Sequence, residues 1–170
     1  MAVAPDPEQI YGRAEEEGRR RLSMSLLGKV ATGFIAGVTI VLGIVALGVT
    51  AALVEPTFGR ELATLAGALA FGIGLVLVVV GRTELFSENL FDPVAAAVAA
   101  GGKAVWGKLL WLWISILALN MIGGAVLLSV LLVEGALPHG SADVLVRVAE
   151  EITAKPAAAT LARAVLAGAL

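Results

Sequence analysis

Three long stretches of the chain carry no charged residue: Val30–Val54 (25 residues), Leu62–Val80 (19) and Leu109–Val133 (25). Within them Leu, Val, Ile, Ala and Gly follow one another without the polar–apolar alternation of a membrane-barrel strand. A helix rises about 1.5 Å per residue and needs about 20 apolar residues to cross a hydrocarbon layer some 30 Å thick. The first and third stretches are long enough with some tilt, and the second just long enough. Backbone groups in lipid must be satisfied internally, so the pattern predicts three membrane-spanning helices. A fourth apolar stretch, Pro156–Leu170, is interrupted only by Arg163. At about 22 Å it is too short to cross and reads as the start of a fourth helix.

Composition sharpens this picture. Of 170 residues, 59% are hydrophobic and 15% charged, against about a quarter charged in soluble domains. Mean hydropathy is +0.94. A disordered chain is excluded, and the absence of cysteine excludes a disulfide scaffold and a thiolate metal site. A net charge of −2 offers no basic surface for nucleic acid. No nucleophile elbow, HExxH motif or Gly-rich phosphate loop occurs, and Ser115 and Ser129 lie in apolar runs, so neither an enzyme nor a cofactor is implied.

The charges cluster. Residues 1–29 hold ten of the 26, and the chain divides into a polar arm (1–28) and a membrane domain (29–170). The arm reads as a ragged terminus followed by a short solvated helix. Arg19-Arg20-Arg21 before an apolar run resembles a twin-arginine export signal, but the run is far longer than a signal core and lacks a following cleavage site. The arginines read instead as an anchor that keeps the amino terminus cytoplasmic. With that orientation, Arg13, Arg19, Arg20, Arg21, Lys29, Lys103 and Lys108 lie inside, and Arg60, Arg147 and Lys155 outside. Trp106, Trp111 and Trp113 then sit at the cytoplasmic end of the third span, at headgroup level.

Small residues at Gly33 and Gly37, Gly43 and Gly48, Ala70 and Gly74, and Gly123-Gly124 predict close helix packing. Asn120, alone in the third span, either bonds across helices or faces water.

The segment Gly81-Arg82-Thr83-Glu84-Leu85-Phe86-Ser87-Glu88-Asn89-Leu90-Phe91-Asp92-Pro93 mixes four charges with large apolar residues. Asp92 as N-cap and Pro93 at the first helical position predict a short helix towards Gly102. Two readings stand side by side. In one, residues 81–105 form a cytoplasmic loop. In the other, the second helix breaks inside the membrane and a half-helix continues to the cytoplasmic face. Four charges facing lipid would cost on the order of 10 kcal/mol, so the second reading requires internal neutralisation. Arg82 pairing with Glu84 or Glu88, and Asp92 bonding the free N–H groups of its own helix, would supply it.

The run Glu84-Leu85-Phe86-Ser87-Glu88-Asn89 resembles the Glu-Leu-Phe-Thr-Gly-Asn signature of the formate/nitrite transporter family. Gly33-Phe34-Ile35-Ala36-Gly37 is similar to that family's opening in the first span, and Asn120 with Gly123-Gly124 to the Asn-x-x-Gly of its third. Lys155 and 160–168 resemble the entry to its fourth helix. The resemblance covers nearly all of residues 22–170.

The resemblance implies an all-α integral membrane protein of aquaporin-like fold, built from inverted repeats. This chain would supply the first repeat, with three spans and the second one broken, plus the start of a fourth helix. It therefore reads as an incomplete half, without the second repeat's pore histidine. His139, beside Pro138 and Gly140, reads as a loop residue. Aquaporin itself is disfavoured because no Asn-Pro-Ala occurs.

By the same resemblance, Leu85 and Phe86 are apolar constriction residues, Ser87 the pore-facing hydroxyl, and Phe71 and Leu75 further narrowing positions. Lys155 would attract anions at the outer mouth. Glu88 replaces the family's usual glycine and would repel an anion unless neutralised by Arg82. The implied activity is passage of a small monovalent anion such as formate or nitrite, by a pentamer in the inner (plasma) membrane of a prokaryote. The rival expectation is a small multi-span scaffold or assembly protein without a pore, its glycines serving only as packing surfaces.

Overall fold

The structure, a computed structural model, describes residues 5–169, and every element among them is helical. Helix α1 spans Pro7–Leu22, α2 Leu26–Gly81, α3 Asp92–Ala100, α4 Lys103–Leu131, α5 Ser141–Thr153 and α6 Ala157–Ala169. A single 3-10 turn, Phe86–Asn89, lies between α2 and α3. Helices α2 and α4 are long and apolar enough to cross a membrane.

The 56 residues of α2 are two arms, 26–58 and 60–81. Pro56 removes a backbone donor near the junction, and Gly59 leaves helical geometry at φ 77°, ψ 170°. The two arms contain the first two uncharged stretches, and α4 contains nearly all of the third.

The chain forms two compact units, one of Met1–Leu42 with Gly74–Leu132, the other of Gly43–Ile73 with Val133–Leu170. In the first, α4 crosses the 26–58 arm with the backbones touching. A Cβ added at Gly37 would stand 2.1 Å from the Asn120 carbonyl oxygen, and one at Gly123 2.1 Å from that of Phe34. Only glycine permits this approach, and in lipid such close packing is what holds helices together. Leu109, Leu112 and Ile116 of α4 are fully buried beside it.

Helix α1 also belongs to this unit. It starts at Asp6, whose carboxylate accepts from the Gln9 N–H at 2.8 Å. Ala14 and Gly18 form its buried face, and a Cβ at Gly18 would overlap the Asp92 carbonyl at 2.0 Å. The arm is therefore docked on α3 rather than freely solvated as expected. Periodicity alone shows a charged helix, and the contact depends on a glycine and an alanine that carry little hydropathy.

In the second unit Gly67 lies against Leu47 and Ala51, and Ala51, Ala63 and Val144 form a small core with Ala52, Val54 and Val148 around it. Helix α5 was not expected. Its apolar positions Val144, Leu145, Val148 and Ile152 recur at helical spacing among charges. Arg147 pairs with Glu55, and Arg60 with Glu151, tying α5 to both sides of the Gly59 junction. His139 is an exposed residue of the loop before α5.

Candidate functional site: the break after the second arm

The 60–81 arm ends by a left-handed turn at Arg82 (φ 48°, ψ 41°), with the Arg82 N–H donating to Val79 and the Thr83 N–H to Val78. The chain then runs extended through Leu85, turns once through Phe86–Asn89 and enters α3. Three of its polar residues, Thr83, Glu84 and Asn89, are buried, Glu84 to 2% exposure, while Arg82 and Ser87 are exposed.

Asn120 is the keystone. Its amide donates to the Gly33 carbonyl (2.8 Å) and the Glu84 carbonyl (3.0 Å), and its oxygen accepts from the Phe86 N–H (2.8 Å). One side chain thus joins α4, the first arm of α2 and the break. Of the two alternatives left open by the sequence, the bond across helices is the one realised. The Glu84 N–H also donates to Thr32 of the first arm at 3.3 Å. Asn89 donates to the Glu84 carboxylate (3.1 Å) and the Leu85 carbonyl (2.9 Å), while the Trp113 indole N–H donates to the Asn89 carbonyl (2.8 Å). Trp113 is therefore part of the break, whereas Trp106 and Trp111 are exposed.

Charge neutralisation takes a different route from the one expected. Arg82 is exposed and has no carboxylate within 4 Å among the described residues. Glu84 is held instead by α1: Arg20 donates to it at 2.8 Å and the Arg21 guanidinium lies 3.5 Å away. Arg21 also donates to the Glu88 carbonyl at 2.6 Å and stands 3.7 Å from Asp92. A fork of five donors can serve three such sites at once. Asp92 does not act as the N-cap. Phe91 occupies that position without a side-chain cap, α3 begins at Asp92, and the Asp92 carboxylate lies towards Arg21.

Glu17 completes the arginine cluster. Its carboxyl is lowered to about 2, chiefly by the Arg20 hydrogen bond, with Arg21 adding and burial opposing. Arg20 is raised in turn by Glu17 and then Glu84. Together these groups line a cavity of about 630 Å³ between α1, the end of α2 and the break, where Glu17, Glu84, Glu88 and Asp92 face Arg20, Arg21 and Arg82. Arg20, Arg21, Asn89 and Trp113 were not anticipated as site residues. The arginines lie more than sixty residues from their partners, and nothing local marks that pairing.

The remaining expected positions are distributed as follows. Leu85 and Phe86 are half-buried, and Ser87 is exposed. Leu75 is exposed on the 60–81 arm, and Phe71, on the same arm, is partly buried. The arm's contribution to the 630 Å³ cavity comes from Val78 and Val79. Lys155 is half-buried and lines a different cavity of about 200 Å³, with Glu55, Arg60, Arg147 and Glu151.

A family model described as formate/nitrite transporter matches residues 8–170. The chain belongs to the formate/nitrite transporter family. It is 29% identical over 129 residues to the formate channel FocA of Escherichia coli (strain K12), covering 76% of this chain and 44% of that protein. It is 30% identical over 118 residues to the uncharacterized transporter YrhG of Bacillus subtilis (strain 168), covering 69% and 43%. The chain thus spans less than half the length of these relatives. No solved structure matches it. For a formate/nitrite transporter family member, the signature-like run 84–89 is the segment that interrupts the helical path between α2 and α3.

Proposed function

We propose that this chain forms part of a membrane channel for small monovalent anions of the formate and nitrite type, and that the break at 82–91 lies within the bilayer. The observation that carries the reading is the inverted polarity of the break. Leu90 and Phe91 are 48% and 63% exposed, while Thr83, Glu84 and Asn89 of the same segment are buried and bonded. A loop in water shows the reverse order. Lipid as solvent rewards it, because irregular backbone at depth survives only when its polar groups are satisfied by protein.

In this reading Phe71, Leu75, Leu85, Phe86 and Ser87 form the anion path, Lys155 draws anions at the outer mouth, and the amino terminus is cytoplasmic. Membership in the family supports a pentamer in a prokaryotic inner membrane. The arm 1–28 and membrane domain 29–170 then act together, since α1 neutralises the break. A bare carboxylate costs tens of kcal/mol in a medium of low dielectric, so apolar collars favour the protonated acid. The Ser87 hydroxyl supplies a hydrogen bond between them.

The test is formate and nitrite flux in proteoliposomes made from the complete reading frame that contains these residues. Ser87→Ala and Phe86→Ala are expected to alter flux, and unchanged flux in both overturns the assignment of the path.

A further inference from the structure

A second polar recess lies on the opposite side of α1 from the arginine-lined cavity. It is a crevice of about 180 Å³ between the end of α1, α3 and the start of α4, whose lining includes Arg19 and Lys108 above Leu22, Ala96 and Val105. No carboxylate among the described residues lines it. Arg19 pairs along its own helix with Glu15, and Lys108 has no acidic partner within 4 Å among the described residues. The crevice therefore carries surplus positive charge, unlike its neighbour, where four acids meet three arginines.

Two cations over an apolar floor fit a phosphate that brings hydrocarbon with it. A free anion would use the charges and leave the floor wet. The helix that holds Lys108 continues the match: Trp111, Ile114, Leu117 and Met121 follow at steps of three and four, all exposed. That stripe starts at an indole suited to headgroup level and runs along a helix of membrane-crossing length.

We propose that this crevice binds the headgroup of an anionic membrane lipid, with Arg19 and Lys108 on the phosphate and the acyl chains along the Trp111–Met121 stripe. Such a lipid fastens α1 to α4 from the outer side, while Arg20 and Arg21 fasten it to the break from the inner side. The inference requires α4 to stand in a membrane and is independent of any transported substrate.

The purified chain in detergent is titrated with phosphatidylglycerol or phosphatidylcholine and lipid adducts are counted by native mass spectrometry. Phosphatidylglycerol is expected to be retained preferentially, and Arg19→Gln and Lys108→Gln each to weaken it about fivefold. Lys103→Gln, outside the crevice, is expected to leave it unchanged. Unaltered retention in both crevice variants, equal retention of the zwitterionic lipid, or displacement by millimolar inorganic phosphate overturns the proposal. A second readout needs no substitution. In phosphatidylglycerol vesicles, amine-reactive labelling of Lys108 is expected to slow relative to Lys103, compared with phosphatidylcholine vesicles. An unchanged ratio contradicts the site.

Discussion

Removing the Asn120 amide would leave the Glu84 carbonyl and the Phe86 N–H without partners and take a second bond from the helical Gly33 carbonyl. Interhelical bonds in membrane proteins are worth about 0.6 kcal/mol on average and about 1.7 at most. Asn120→Ala is therefore expected to cost about 2–4 kcal/mol, read from unfolding in mixed micelles. The glycines give a sharper contrast. Gly37→Ala and Gly123→Ala place a methyl group against backbone oxygens that cannot yield, so each is expected to separate α4 from the first arm and destabilise by about 3 kcal/mol or more. Gly107→Ala meets nothing within 4 Å, and is expected to stabilise by about 0.5–1 kcal/mol through helix propensity in the same assay.

At the scale of elements, α1 acts as a latch on the break. Arg21→Gln deletes the charge shared among Glu84, the Glu88 carbonyl and Asp92, and hydrogen exchange of 84–92 is expected to rise about tenfold or more. Arg21→Lys, a single point donor, is expected to restore only part of the protection. Within α1 itself, Glu17 pairs with Arg20 and Arg21. Its folded value of about 2 lies below its ordinary 4.5, so the pairing with Arg20 contributes fully above pH 4.5 and is lost as pH falls towards 2. Exchange of the amides of α1 itself is expected to rise between those values, and Glu17→Gln to remove the part of that rise that Glu17 contributes. The long apolar helices, the α3 turn and the keystone role open to Asn120 were all legible, because hydropathy and a lone amide in an apolar run are local signals. The latch was not. Arg82 is nearest in sequence to the acids and lines the same cavity, but it pairs with none of them within 4 Å among the described residues, and the arginines that do the work belong to a helix whose buried face is only Ala14 and Gly18. Helix α5 is different: its apolar positions at helical spacing are a local signal, and only its ion pairs to Glu55 and Arg60, which join residues about ninety apart, have none.

Across the whole molecule, the proposed function makes lipid the solvent around the break. It explains why Glu84 is enclosed by two arginines and an amide while Leu90 and Phe91 face outward, and why small residues occupy the helix crossings. The chain has no cysteine, so single probes can be introduced without altering anything else. The decisive measurement is power-saturation spectroscopy of a spin label at Leu90 or Phe91 in reconstituted bilayers, comparing collisions with oxygen and with a water-soluble nickel complex. High oxygen and low nickel accessibility, as at Ile114 of α4, is the predicted result. Nickel accessibility as high as at Gly12 of α1 would contradict it and place the break in water.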